Sequence, residues 1–332
     1  MDPVRKYLSK MELGERTVFR NLTMFAVEGA ADGTLEYLTL ADAMRLEVAK
    51  VSEISDGGSV PELLFENSAD LPVLIFDGEE LVGAKQNRTV NLTILAPAGK
   101  TIKIPVSCVE AGRWRRESSH LEMSNRNHFA RGRAARAATV SHSMRRDGSR
   151  RSDQRRVWAD ISAKASRMEA PSATQAMAEV FDRHRTSLES YVEAFTHSEQ
   201  QTGGLFAIGP EIVGIDLFDR RSTLAAMLPK LVRSYAIDAM ETDGKDGKPA
   251  KKKDARAFLG QLAETEIQGY GAVGLGNDFR LTSPGVVGGG LAVDGHLIHL
   301  AAFPTDPEPG NGRADSGNMA RLRSRRRSYG RR

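Results

Sequence analysis

The sequence predicts an α+β fold in which antiparallel, hairpin-rich sheets pack with several helices. Three observations carry it. Short β-branched and aromatic runs such as "TVFRNLTMFAV", "LPVLIFDG" and "TIKIPVSCVE" are separated by Gly- and Pro-bearing turns. Runs with apolar residues three and four apart cluster from about residue 171 to 240. Three similar segments, "LIFDGEELVG", "LFAIGPEIVG" and "LAVDGHLIHL", read as hairpins with a glycine in the turn, which raises the possibility of two pseudo-repeated halves.

Taken in order, residues 17 to 27 form the first strand, and "LTLADAMRLEVAKVSEI" then spaces Leu40, Ala43, Met44, Val48 and Val51 as on a helix, with Thr39 and Asp42 as its capping box. A strand-rich block runs to Glu110, and residues 1–112 make a β-rich first half. From Arg113 to 157 apolar periodicity is lost, so this arginine-rich stretch is expected to be a flexible, disordered basic insertion. Residues 158–303 form a helix and hairpin second half. Its surest helix follows Pro171, with Ser172 and Gln175 as a capping box and one apolar face from Met177 to Phe195. The run "STLAAMLPKLVRSYAIDAM" reads as a helix bent or restarted near Pro229. Residues 304–332 are expected to be a disordered basic tail.

Charge is unevenly placed along the 332 residues. The formal net charge is +4, but the tail segment "RLRSRRRSYGRR" holds seven arginines and no acid, so residues 1–320 carry a net −3. Such basic runs attract polyanions, and a weak nucleic-acid contact through them is one expectation. The scarcity of aromatics in both runs argues against stacking on bases. One cysteine, Cys108, excludes an internal disulfide framework and a Cys-based zinc site. The N-terminus "MDPVRKYLSK" lacks an apolar signal core and no apolar run reaches the roughly 20 residues that span a bilayer, so a cytoplasmic protein without membrane contact is expected. No cofactor is indicated, and the oligomeric state is left open.

The most informative stretch is "KQNRTVNLTILAPAGKTIKIPVSCVEAGRW", residues 85 to 114. Strand alternation puts Arg88, Val90, Leu92 and Ile94 on one face and Ile104, Val106, Cys108 and Glu110 on another that meets it. A turn at Ala98 or Gly99 allows two registers, setting Glu110 opposite Gln86 or opposite Arg88. Two readings of this polar edge stay open. One is a half-buried Arg88–Glu110 ion pair closing the hairpin. The other is a site in which Glu110, with Glu79 or Glu80 as a second carboxylate, does acid/base work while Arg88 or Arg113 grips an anionic group. Cys108, in phase with Ile104 and Val106, reads as a buried inert thiol. "GYGAVG" at 269 to 274 has the letters of a dinucleotide loop, but it follows a helix and leads to a strand, the reverse of the required order. His296 and His299 point to opposite faces of a strand, and no metal site is indicated. Asp216 is expected to close the second hairpin as Glu110 closes the first.

"GEELVGAKQNR" and "IPVSCVEAGRW", with "VGIDLFD", "LVRSYAIDA" and "LIHLAAF", resemble the bacterial ADP-ribosylglycohydrolase and rhodanese-phosphatase associated protein domain family. The resemblance covers about residues 15 to 303 outside the arginine-rich stretches. It implies functional positions at Glu79, Gln86, Asn87, Arg88, Glu110, Arg113 and Trp114, and at Asp216, Ser234, Tyr235 and His299. The resulting expectation is a pocket at hairpin ends that binds an NAD-derived or ADP-ribose-like nucleotide. Glu110 and Glu79 would be its catalytic pair if the ligand is hydrolysed, and Trp114 would stack on a base. A non-catalytic ligand-sensing or adaptor module is the alternative.

Overall fold

A computed structural model of the chain describes residues 3–29, 33–55, 57–242 and 247–305. The chain opens with α1 (Pro3–Leu8) and the hairpin β1 (Glu12–Phe19) and β2 (Leu22–Glu28). β3 (Leu38–Thr39) runs directly into α2 (Leu40–Arg45). Eight strands follow: β4 (Ala49–Ser52), β5 (Glu62–Asn67), β6 (Val73–Ile75), β7 (Glu79–Gly83), β8 (Arg88–Val90), β9 (Ile94–Ala96), β10 (Thr101–Cys108) and β11 (Leu121–Asn127). Then come α3 (Ala130–Asp147), α4 (Gln154–Arg167), α5 (Met177–Arg183) and α6 (Arg185–Ala194). The chain finishes with β12 (Gln201–Ile208), β13 (Glu211–Phe218), α7 (Arg221–Glu241), α8 (Lys252–Glu264), β14 (Ile267–Gly271), β15 (Asn277–Ser283), β16 (Val286–Val293) and β17 (His296–Pro304).

The expected α+β class with antiparallel sheets and helices is what these elements build. β10-β5-β4-β11-β7-β8 close into a six-stranded barrel, whereas β1-β2-β12-β13-β17-β16-β15-β14 form an open eight-stranded sheet. A small sheet, β3-β6-β9, lies between them and shares a core with β16 and β17 through Leu74, Leu95, Leu291 and Ile298. The first hairpin belongs to the large sheet, since β2 pairs with β12. Residue 112 is therefore no boundary: the chain starts in the sheet, builds the barrel and returns. Barrel and sheet differ in topology, so pseudo-repeated halves are not seen. "LAVDGHLIHL" and "LFAIGPEIVG" are true hairpins, the first turning on Asp294 and Gly295, both with positive φ. "LIFDGEELVG" is not one, because β6 pairs with β3 and β9 while β7 pairs with β8 and β11.

The stretch 113–157 is the main correction. It holds β11, the whole of α3 and the start of α4. On α3 the residues Ala130, Arg133, Ala137, Val140 and Met144 are buried at spacings of three and four. Two arginines on the inward face hid this pattern, since an apolar count scores them as solvent-facing. Ala130 and Ala137 pack with the helices of the sheet's core, while Val140 and Met144 enter the barrel's core, so α3 joins the two.

Other departures are local. α2 is capped by Thr39, whose Oγ1 accepts from the Asp42 N–H at 3.1 Å, but it stops at Arg45. Glu47 turns the chain with φ +57° and the Val48 N–H bonds back to the Ala43 carbonyl, so Ala49 to Ser52 become a strand. Ser172 accepts from the Ala176 N–H, but left-handed Gln175 (φ +54°) delays the helix to Met177, and His184 divides it into α5 and α6. α7 instead runs unbroken through Pro229. The basic tail lies outside the described residues. Among the described residues, no helix is long and apolar enough to cross a membrane.

Candidate functional site

The polar residues singled out in the sequence gather in two separate centres. The first lies at the open end of β8 and β10. Cys108 pairs with Arg88 and Val106 with Val90, which is the register that sets Glu110 opposite Gln86. Toward the closed end the two strands part, β9 turning to β6 and β10 to β5. Gln86 Nε2 donates to the Glu110 carbonyl at 3.1 Å. The expected Arg88–Glu110 pair does not form. Glu110 is held by Arg113, whose Nη2 lies 2.7 Å from Oε2, by the Asn87 N–H at 3.1 Å and by the Thr174 hydroxyl at 2.7 Å. Burial pushes the Glu110 carboxyl up, but the bonds from Arg113, Thr174 and Asn87 outweigh it and keep the carboxyl below its usual range. Arg113 also donates to the Asn87 side chain and the Ala84 carbonyl, so it staples the β7–β8 turn to the chain leaving β10.

Arg88 has a different environment. It is fully buried, and its Nη1 donates to Gln86 Oε1 at 2.9 Å. Among the described residues, Nε and Nη2 have no hydrogen-bond partner, and neither has Oε2 of Glu53, whose Oε1 lies 3.8 Å from Arg88 Nη2. Above this group Trp114 is 47 % exposed, with the Arg88 guanidinium 5.6 Å and the Lys85 ammonium 5.3 Å from its ring centre. Gly58 (φ +75°) closes one side, where a Cβ would meet Lys85, Glu53 and Trp114 at 3.1 to 3.3 Å. Cys108 is buried behind the cluster, and burial raises its thiol, as suits a structural cysteine.

The second centre lies where α3 meets the large sheet. Arg133 binds Asp216 through both terminal nitrogens, at 3.1 and 2.6 Å, and reaches Asp77 at 3.2 Å through Nε. Arg136 bonds the other oxygen of Asp77 at 2.7 Å and also contacts His128 Nδ1. Tyr235, from α7, donates to Asp216 at 2.9 Å, and His299 Nε2 lies 3.5 Å from the same carboxylate. Beside them, Arg280 chelates Asp278 at 2.8 and 2.6 Å. Three guanidinium groups thus face three carboxylates with little access to water. Burial lowers the His299 and His128 pKa values, so both imidazoles are neutral at pH 7.

Asp216, Tyr235 and His299 therefore meet one another, but they share no bonded partner with Gln86, Asn87, Arg88, Glu110, Arg113 or Trp114. Glu79 joins neither group: its carboxylate takes the Phe76 N–H and the Lys230 ammonium, the latter at 2.5 Å. Ser234 donates to the His128 carbonyl. Asp77, Arg133 and Arg136 were missed by sequence reasoning, although the three-four spacing of Arg133 with Ala130, Ala137 and Val140 was a usable signal. Glu53 carried none.

Fold and site together define an α+β protein that joins a closed barrel to an open sheet across a buried, charge-balanced seam. The chain belongs to the ARG and rhodanese-phosphatase-superfamily-associated protein domain family, whose pattern it matches over residues 10–303. No curated protein and no solved structure matches it.

Proposed function

We propose that the protein binds an NAD-derived or ADP-ribose-like nucleotide at the open end of β8 and β10. The carrying observation is that Arg88 Nε and Nη2 make no hydrogen bond among the described residues, with Glu53 Oε1 no nearer than 3.8 Å to Nη2, in the cluster beside half-exposed Trp114. Buried polar atoms without partners cost on the order of 1–3 kcal/mol each, and a ligand that supplies those partners recovers it. The indole offers a planar heterocycle a stacking face. The ADP-ribose part of the reading rests on the resemblance drawn from the sequence, which reads ARG in the family description as ADP-ribosylglycohydrolase. Glu110 serves in it as a brace for Asn87 and Arg113, because a carboxyl held ionised by several donors is a poor proton donor at neutral pH.

Trp114→Ala separates binding from stability, since the side chain is half in water while Arg88 is fully buried. Thermal unfolding with ADP-ribose or NAD at about 100 times the dissociation constant should show roughly 2.7 kcal/mol of added stability, a shift of several degrees. The variant is expected to melt near the wild type alone and to lose that shift. Equal shifts in both proteins would remove the ligand from this site. Product analysis after long incubation then distinguishes a hydrolase from a ligand-sensing or adaptor module. Nucleic-acid binding through the first arginine block has less to recommend it, because Arg113, Arg133 and Arg136 are buried in ion pairs.

A further inference from the structure

The large sheet ends on two strands whose outer edges differ. β1 is blunted: its pairing with β2 shifts between Leu13 and Arg16, it carries Glu12, Glu15 and Arg16, and Lys252 donates to the Gly14 carbonyl. β14 has neither charge nor proline, and it pairs with β15 without a register shift. The Thr282 N–H donates to the Glu266 carbonyl at 3.4 Å, so Glu266, Gln268 and Tyr270 turn their main-chain groups toward β15. Ile267, Gly269 and Gly271 therefore turn theirs outward. The Arg150 guanidinium takes the Gly271 carbonyl, and no other bond to these outward groups is seen among the described residues.

The side chains repeat this asymmetry. Ile267 packs with Val4, Phe258 and Phe279 on the face that α1 and α8 cover, but a Cβ at Gly269 or Gly271 would meet nothing within 4 Å. The cover stops short of the two glycines. A hollow of about 340 Å³ opens there, lined by Val4, Ile267, Gly269, Asn277, Phe279 and Ala292 among others.

We propose that β14 is the pairing edge of a homodimer, in which two copies join antiparallel about Gly269 and continue the sheet across a two-fold axis. In this register Gly269 lies opposite Gly269 of the second copy, and Ile267 opposite its Gly271. Each such pair exchanges two main-chain bonds, about six in all. Directly opposed residues share a face, so Ile267 of each copy enters the hollow that the glycines of the other leave open. On the other face, where Tyr270 meets the barrel core, Gln268 opposes Tyr270 of the second copy. Exposed Glu266 arrives on that face beside Gly271 of the second copy, where the Arg150 guanidinium of that copy is bound. Charge, shape and main-chain pattern are thus each complementary to themselves under a two-fold axis, which selects a second copy over an unrelated strand. A five-residue edge buries less than the roughly 800 Å² per partner of a lasting complex, so a dissociation constant in the micromolar range is expected.

The test is sedimentation equilibrium of the full chain over a range of concentrations, with Gly269→Pro as the edge variant. The Gly269 N–H points away from β15, so proline removes no bond of the sheet while it blocks the two-fold contact. The wild type is expected to dimerise with rising concentration, and Gly269→Pro to raise the dissociation constant about 100-fold or more. Gly269→Cys reads the register, because opposed Cα atoms in such a pair stand about 5.5 Å apart, within disulfide reach, while Cys108 is buried. Oxidation should link two copies of Gly269→Cys and leave Gln268→Cys unlinked, since the two 268 positions are offset along the strands. A wild type that stays monomeric to its solubility limit, or a dimer unchanged in folded Gly269→Pro, would overturn the proposal. The first outcome leaves the edge to a strand of other origin. Should Gly269→Pro fail to fold, crosslinking decides: no link in Gly269→Cys, or an equal link in Gln268→Cys, refutes the two-fold pairing.

Discussion

Arg133→Met is expected to destabilise the protein by about 3–5 kcal/mol, a large part of the ordinary folding free energy. The side chain is fully buried and binds two carboxylates, Asp216 by two bonds and Asp77 by one. Removing it leaves Asp216 with the Tyr235 hydroxyl and a neutral imidazole as its neighbours in a place water does not reach. Asp77 keeps Arg136. Most of the loss therefore comes from Asp216, and Arg133→Met with Asp216→Asn should recover much of it. Denaturant unfolding of both singles and the double variant measures the coupling. A single-variant loss below about 1 kcal/mol would mean that the seam is hydrated and the pair inexpensive to break.

Asp219→Asn is expected to act in the opposite direction and to depend on pH. Burial, against the Tyr37 hydrogen bond and the nearby Arg220 charge, raises the Asp219 carboxyl to about 6. Its unfolded value is about 3.9, so between about pH 4 and 6 the folded state binds the extra proton and stability falls as pH rises. Above pH 6 the full penalty stands, about 2–3 kcal/mol for a shift of this size in a nearly buried group. Asparagine keeps an acceptor for the Tyr37 hydroxyl and removes the charge. The variant should gain stability at pH 8, gain little or none at pH 4, and flatten the pH dependence of the unfolding midpoint between. A variant less stable than the wild type at pH 8 would show that the Arg220 contact outweighs burial.

Several parts of this protein were legible in the chain because they rest on local rules. Alternation from Val90 to Val106 placed one barrel face and, with a turn at Ala98 or Gly99, two registers, of which the one facing Glu110 to Gln86 is realised. Thr39 marked the start of α2, and the Asp294-Gly295 pair marked a hairpin. Boundaries set by backbone conformation were not legible. Glu47 and Gln175 adopt left-handed φ although neither is a residue type that announces it, and so α2 ends early and α5 begins late.

The site divides in the same way. Sequence reading recovered residues that are adjacent in the chain or on paired strands, such as Gln86 with Glu110. It joined Glu110 to Arg88 and to Glu79, whereas the structure gives Glu110 to Arg113 and Thr174, Arg88 to Glu53, and Glu79 to Lys230. Charge partners across long sequence separations follow from which helix face lands on which strand, and periodicity carries no information about that.

By itself, the sequence determined an α+β protein of hairpin-rich antiparallel sheets with helices, and it placed most strands and the polar edge near residue 88. Those properties follow from side-chain alternation, turn chemistry and capping, which act over a few residues. Only the tertiary structure decided that one set of strands closes as a barrel while the other stays open, and that α3 runs between them. An arginine scores as a surface residue until a buried carboxylate is brought to it. Arg133 and Arg136 became core residues because β13 and the loop after β6 carry Asp216 and Asp77 to the inward face of that helix.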